Sequence, residues 1–239
     1  MAGARVHASQ RRPRRVFQIG AGGGVGRPLA AQLVRLGHDV TGMHRSPEQA
    51  QTIRDTGATP VGGDLIADSV GQLQERFAGH DAVVFSAGAH GTGMDKTTAI
   101  DGEGLRKAAE AAAAAGVRRF VLVSVFMDAR RSEERSDGFE HYMAVKRWAD
   151  IQLTSSDLDW LIVRPGTLLD EPATGRINAG TAIPYGSVPR GDVAGFIAAT
   201  LFEPQLNRIA VELTSGDVLI RDAVVALLPR QWQALTRTD

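Results

Sequence analysis

A glycine-rich segment near the start of the chain constrains the possible folds more than any other feature. Residues 20–26 read GAGGGVG; they directly follow the apolar run 16–19 and precede a segment, 28–36, whose apolar residues repeat at helical spacing. A strand, a glycine turn and a helix in this order can hold a diphosphate on the free amides at the start of the helix. The alternative is a flexible glycine loop without a ligand, which the flanking strand and helix disfavour.

Short β-branched runs alternate with longer segments rich in alanine and leucine, which is typical of repeated strand–helix–strand units and a parallel sheet. Strands are predicted at residues 16–19, 39–43, 59–61, 82–85, 119–123, 160–163 and 209–213, and helices at 28–36, from 48 onward, and at 105–115, 139–155, 192–201 and 220–228. We therefore predict the α/β class: a Rossmann-type doubly wound parallel sheet that forms a single domain over residues 15–239. A small irregular C-terminal region, about 166–239, is expected to supply substrate-side elements, and the arginine-rich residues 1–14 a disordered basic arm.

Composition argues against several classes of function. The chain carries 27 basic and 27 acidic side chains, so no net charge attracts nucleic acid or an anionic membrane. There is no cysteine, which removes disulfides and thiolate metal sites and fits a cytoplasmic protein. No apolar run approaches the roughly 20 residues that span a bilayer, and the histidines show no paired ligand spacing, so we expect neither a membrane nor a metal. The expected partner is a small-molecule substrate, bound by a monomer or a homodimer.

The end of the second predicted strand bears on the choice of dinucleotide. A carboxylate there would bind an adenosine ribose that has a free 2′-hydroxyl, whereas this chain has His44, Arg45 and Ser46. Because an arginine can bind a 2′-phosphate through two hydrogen bonds, we predict NADP rather than NAD as the cofactor. A solvated surface arginine is the alternative.

Two later turns complete the predicted cofactor site. Asp64 and Leu65, after the third strand, would bracket the adenine, although Asp64 could equally be a plain turn residue. The turn after the fourth strand would lie near the ribose and the nicotinamide. The predicted cofactor-binding residues are Gly20, Gly22, Gly23, Gly24, Val25, Gly26, Arg45, Ser46, Asp64, Leu65, Ser86, Ala87, Gly88 and Lys146.

Tyr142 and Lys146 are the main catalytic candidates. They lie four residues apart on a predicted helix after the fifth strand, so both face one side of a helix that would run beside the nicotinamide. A phenol has a pKa of about 10 and a neighbouring ammonium lowers it. Tyr142 could then donate a proton to a carbonyl oxygen while Lys146 holds the nicotinamide ribose, with Ser124 polarising the same oxygen. An exposed tyrosine–lysine pair without a catalytic role is the alternative.

From about residue 16 to 228 the chain resembles the atypical short-chain dehydrogenase/reductases, in particular their NmrA-like, NAD(P)H-binding group. The resemblance is carried by the glycine loop, Gly63-Asp64-Leu65, residues 81–88 (DAVVFSAG), Asp101 with Gly104, residues 116–121 (GVRRFV), Tyr142 with Lys146, residues 162–166 (IVRPG), Glu171-Pro172, Thr174-Gly175 and Asp192-Val193-Ala194. It implies that Arg45 and Asp64 contact the adenosine end, residues 86–88 the ribose region, and Tyr142 and Lys146 the nicotinamide.

By function, the resemblance implies an NADP-dependent oxidoreductase that reduces a carbonyl or an activated double bond of a small molecule. Members of this group usually have two serines at the end of the fifth strand, the second commonly being the reactive one, whereas Val125 follows Ser124 here. Because of this departure, the alternative remains that the chain is a non-catalytic protein that binds NADP(H) as a redox sensor. An epimerase or dehydratase that retains its cofactor is a third alternative.

Overall fold

A central sheet organises the computed structural model, which describes residues 13–89, 91–131 and 133–229. Within these residues nine strands pair in the order β11-β8-β10-β6-β5-β4-β1-β2-β3, and β7 and β9 form a separate two-stranded sheet. The strands are β1 (Arg15–Ile19), β2 (Asp39–His44), β3 (Thr59–Gly62), β4 (Ala82–Phe85), β5 (Arg119–Val123), β6 (Asp159–Pro165), β7 (Thr167–Leu169), β8 (Arg176–Gly180), β9 (Ser187–Pro189), β10 (Ile209–Ser215) and β11 (Val218–Leu219). The arm predicted for residues 1–14 lies outside the described residues except for residues 13 and 14.

Eight α-helices of the described residues connect these strands. They are α1 (Gly26–Arg35), α2 (Glu48–Arg54), α3 (Val70–Phe77), α4 (Met94–Thr97), α5 (Leu105–Ala114), α6 (Asp137–Thr154), α7 (Arg190–Thr200) and α8 (Ile220–Leu227), and a π-helical segment, Thr98–Gly104, joins α4 to α5. None of the described helices combines the length and the apolar character needed to cross a bilayer.

Neighbouring strands from β3 to β10 are all parallel, and β8 and β11 pair antiparallel at the far edge. The fold class is therefore confirmed: the order 3-2-1-4-5-6 is that of a doubly wound Rossmann sheet in one domain. The chain leaves β1 toward β2 on one side and later returns to β4 on the other. In such sheets a ligand binds in the crevice beyond the carboxyl ends of the two strands at this reversal, here β1 and β4.

Helices cover both faces of the sheet. One apolar cluster packs α1, α7 and α8 against one face, and a second packs α3, α5 and α6 against the other. The side chains of β1 alternate between the two clusters, with Val16 in the first and Phe17 and Ile19 in the second. Both faces of β1 are thus buried, and the glycine loop that follows it starts from a rigid strand.

The structure contains elements that the periodicity did not indicate. Helix α3 was not predicted, although Ser69 and Gln72 form a capping box, which is a recognisable start signal.

Strand β6 continues to Pro165, beyond its predicted end. The Gly166 amide donates to the Leu213 carbonyl of β10 at 2.9 Å. The nitrogen of Pro165 therefore points to the opposite side, toward β5, and β5 ends at Val123. A proline there removes no ladder hydrogen bond.

Candidate functional site

Two cavities meet beyond the carboxyl ends of β1 and β4. The smaller, about 250 Å³, is lined by the glycine loop and by residues that follow β2 and β3. The larger, about 740 Å³, contains Tyr142, Lys146 and Ser124. Both are lined by Ser86, Ala87, Gly88 and Ala89. Together they form one trough across the place between β1 and β4 where the strand order reverses. The trough brings together most of the residues that the sequence assigned to a dinucleotide and its reaction.

Close packing explains the first and last glycines of the loop. Gly20 has φ +83°, and a Cβ there would lie 2.6 Å from the Ala87 amide nitrogen. A Cβ on Gly26 would overlap the Gly20 carbonyl oxygen. From below, the buried Gln18 side chain donates to the Gly26 carbonyl at 2.8 Å. A side chain at Gly20 would therefore push the loop away from the turn after β4, and one at Gly26 would push the start of α1 away from the loop.

The middle of the loop has the properties that a diphosphate requires. Gly23 donates its amide to the Gly20 carbonyl at 3.0 Å, which closes the turn. Within the described residues, the amides of Gly24 and Val25 have no protein acceptor, and they precede the first turn of α1. Free amides at a helix start, next to residues without bulky side chains, fit an anion such as the diphosphate of NAD or NADP.

The end of the trough that the sequence assigns to the adenosine is formed by turns after β2 and β3. Arg45 and Gln49 line the smaller cavity together with Asp64 and Leu65. The Gln49 side chain accepts from the backbone amide of Arg45 at 3.2 Å, which holds the turn while the Arg45 side chain stays exposed. Asp64 accepts from the Ile66 amide at 2.8 Å, so it also serves as a turn residue.

Two residues assigned to the cofactor lie outside the lining of both cavities. Gly26 is buried beneath the loop, where it packs against Gly20 and its carbonyl accepts from Gln18. Ser46 instead bonds to the exposed Glu48 carboxylate, and this hydrogen bond holds the pKa of Glu48 below its usual value. The direct role expected for Ser46 is therefore not supported by its position.

A buried ion pair occupies the floor of the larger cavity. Lys146 Nζ lies 3.6 Å from Asp101 Oδ1, and both side chains are almost completely buried. Lys146 Nζ also donates to the Val123 carbonyl at 3.1 Å, and Asp101 Oδ2 accepts from the Ala89 amide at 2.9 Å. Asp101 therefore links α6 to the turn after β4. The catalytic residues predicted from the sequence did not include it. An aspartate between the apolar Ile100 and the glycine Gly102 was the available sequence signal.

Tyr142 lines the same cavity, but its electrostatics differ from the expectation. Within the described residues its hydroxyl has no hydrogen-bond partner. Burial, and after it the Asp101 carboxylate, raise the pKa of Tyr142. The expectation that Lys146 lowers this pKa is wrong for this structure, because burial raises the pKa and Asp101, which faces the ammonium, adds to the rise. Tyr142 is thus a neutral phenol at pH 7, able to donate its proton.

The Ser124 hydroxyl is engaged in a different network. Ser124 Oγ donates to Asp150 Oδ1 at 2.6 Å, and the other oxygen of Asp150 accepts from Arg164 at 2.9 and 3.1 Å. Burial raises the pKa of Asp150, and the Ser124 and Arg164 hydrogen bonds oppose that rise. Since a serine has one hydroxyl proton, this arrangement leaves none with which Ser124 could polarise a substrate oxygen.

No group of three or more histidine, aspartate or glutamate side chains among the described residues is arranged to hold a metal ion.

Comparison with known proteins agrees with the geometry of the trough. Residues 20–204 match the family model described as NAD(P)H-binding. A Bacillus subtilis protein named an uncharacterized sugar epimerase, YhfK, is 37% identical over 215 residues, covering 89% of this chain and 100% of that protein.

Two solved structures share the fold over most of the chain. The first, a provisionally named NAD-dependent epimerase/dehydratase from Bacillus halodurans, has 35% identity and a TM-score of 0.82, covering 90% of this chain and 100% of that one. The second, the anaerobilin reductase ChuY from Escherichia coli O157:H7, has 26% identity and a TM-score of 0.72, covering 85% and 98%.

Proposed function

Since this chain belongs to the NAD(P)H-binding family, we propose that it is an NADP(H)-dependent oxidoreductase that reduces a carbonyl group or an activated double bond of a small molecule. The observation that carries the proposal is the position of Tyr142, a neutral phenol in the larger cavity next to the turn after β4 that both cavities share. When bound, the reduced cofactor supplies the hydride.

The protein's own contribution is a proton and a fixed geometry. Tyr142 holds a proton toward the cavity, where a substrate oxygen or carbon gains electron density during reduction. Lys146 and Asp101 position α6 against the turn after β4, which keeps the phenol at the edge of the cofactor trough. The raised phenol pKa keeps Tyr142 protonated at pH 7, which is the form that a reduction requires.

Arg45 supports NADP as the preferred cofactor. It lines the adenosine end, its side chain is exposed, and β2 ends without a carboxylate that would select a free ribose hydroxyl. A guanidinium at this position can bind a 2′-phosphate through two hydrogen bonds.

The test of the proposed activity is NADPH consumption across a panel of aldehydes, ketones and enones. Tyr142→Phe is expected to lower kcat by about 100-fold or more, in the range of a lost general acid, with NADPH affinity unchanged. The matched control is Tyr185→Phe, because Tyr185 is the other tyrosine of the chain and bonds to Thr167 outside both cavities. Unchanged turnover in Tyr142→Phe would remove Tyr142 from the reaction.

A binding protein that senses the NADP(H) pool is the second candidate. The engaged Ser124 hydroxyl and the raised pKa of Tyr142 favour it, because both weaken the expected catalytic set. Calorimetry separates the two: a sensor distinguishes NADP⁺ from NADPH by affinity and consumes neither with any substrate. An epimerase, as the Bacillus subtilis relative is named, would convert a sugar with no net change in nicotinamide absorbance.

A further inference from the structure

A cation from the C-terminal region lies against the glycine loop. Arg190 is the first residue of α7, and its side chain lies so close to Gly24 that a Cβ there would be 2.6 Å from Arg190 Cδ and 2.7 Å from its Nε. Within the described residues, the Gly24 amide is also among the loop amides that have no protein acceptor. Because Gly24 has no side chain, the Arg190 guanidinium can lie next to the predicted anion site.

The present partners of Arg190 use only part of its hydrogen-bonding capacity. Nη1 donates to Asp170 Oδ1 at 2.7 Å and to the Leu168 carbonyl at 3.3 Å. Within the described part of the chain, Nε and Nη2 have no protein acceptor. Asp170 is 91% exposed, so this ion pair contributes little stability and is easily exchanged.

The other cations that line the trough are placed differently. Among the described residues these are Arg45, Arg130 and Lys146. Arg45 lies at the adenosine end, Lys146 is paired with the buried Asp101, and Arg130 bonds to Glu133 at 2.7 Å and stacks over the Phe139 ring. Of the four, Arg190 is the one found among the nearest neighbours of a loop glycine.

We infer that Arg190 binds the diphosphate of the dinucleotide together with the amides of Gly24 and Val25. The inference rests on the proposed function, because it needs a bound dinucleotide, but it holds for NAD and NADP alike. A guanidinium presents paired donors to phosphate oxygens, and its charge offsets part of the charge of the diphosphate. Arg190 leaves Asp170 when it turns to the diphosphate, so Asp170 competes with the cofactor.

This exchange connects the cofactor to the substrate side. Asp170 directly follows β7, and Leu168 of β7 lines the larger cavity. Binding of the diphosphate thus releases the charged end of a segment that forms part of the substrate cavity wall.

The test compares a ligand that has the diphosphate with one that lacks it, by calorimetry on the full chain. Arg190→Gln is expected to weaken NADP⁺ at least tenfold and to leave adenosine 2′-monophosphate within twofold of wild type. Asp170→Asn is expected to tighten NADP⁺ at least twofold, and because Asp170 is exposed this variant should fold normally. Arg130→Gln is the matched control, since Arg130 lines the same cavity away from Gly24, and its NADP⁺ affinity should stay within twofold.

The outcomes separate this inference from the proposed function. If wild type binds neither NADP⁺ nor NAD⁺, the proposed function fails and the inference fails with it. If wild type binds NADP⁺ and the affinity is unchanged in Arg190→Gln, the inference alone is overturned. It is also overturned if Arg190→Gln weakens adenosine 2′-monophosphate as much as NADP⁺, or if Asp170→Asn weakens NADP⁺.

Discussion

A single buried carboxylate, Asp101, determines the chemistry available to its neighbours. It pairs with Lys146 and accepts from the Ala89 amide, and its charge adds to burial in raising the pKa of Tyr142. Lys146 acts mainly as a fixed support for α6, because the Asp101 carboxylate offsets the electrostatic effect of its charge on the Tyr142 phenol. In the reaction that we propose, Tyr142 therefore donates its proton as a neutral acid.

The pH dependence of reduction follows from this direction. Tyr142 is active when protonated, and its pKa lies above the usual value of about 10. The rate is therefore expected to stay flat from neutral pH to about pH 10 and to fall only above it. Steady-state kcat at saturating NADPH measures this, with NADPH affinity followed in parallel as a control. A decline of kcat around neutral pH would contradict the raised pKa.

Among the elements, helix α7 connects the cofactor end of the fold to the opposite end of the sheet. Its first residue, Arg190, contacts the glycine loop, and its last turn is held by Arg119 from β5. Arg119 donates to the carbonyls of Thr200, Leu201 and Leu206 at 2.7 to 2.9 Å. The bonds to Thr200 and Leu201 satisfy carbonyls that the end of a helix leaves free, and they place a cation at its negative pole.

Replacing this arginine should destabilise the fold through α7. Burial lowers the pKa of Arg119 to about 10, which leaves it charged at neutral pH. Arg119→Gln removes the charge and most of these hydrogen bonds, and the free energy of unfolding should fall by about 3 kcal/mol. Arg118→Gln is the matched control, since Arg118 is 63% exposed and its ion pair should contribute less than about 1 kcal/mol. Urea denaturation of both variants measures the difference, and equal losses would show that α7 does not depend on Arg119.

At the scale of the whole molecule, the trough lies between elements drawn from most of the chain. Its lining comes from the loop after β1, the turns after β2, β3 and β4, helix α6 and the first residue of α7. A dinucleotide that binds there contacts both halves of the domain in the folded state and has no such site in the unfolded chain. Binding should therefore stabilise the entire domain.

Thermal denaturation gives the expected size of that effect. A ligand at 100 times its Kd adds about 2.7 kcal/mol to the folded state, which for a domain of this size raises Tm by roughly 5–10 °C. NADP⁺ and NADPH should both produce this shift at concentrations where NAD⁺ produces less, because of Arg45. Inorganic phosphate at the same concentration is the control. Equal shifts from NADP⁺ and NAD⁺ would contradict the assignment of Arg45 to the 2′-phosphate.

The sequence by itself determined the parallel sheet, its central strands and the position of the glycine loop. These features depend on local properties: apolar runs buried on both faces, glycines where a side chain would collide, and helical spacing between them. It also indicated Arg45, Tyr142 and Lys146 as residues that meet at the trough, because all three follow from their place in the strand–helix order.

Only the tertiary structure decided what these side chains do there. The Ser124 proton is held by Asp150, the Lys146 charge is offset by Asp101, and Arg190 contacts the glycine loop. In each case the two residues are distant in sequence, and their contact depends on how a helix is rotated and packed against the sheet. Periodicity shows which face of a helix is buried, but a hydrogen bond is made or lost over less than 1 Å, and that distance is set by the packed fold.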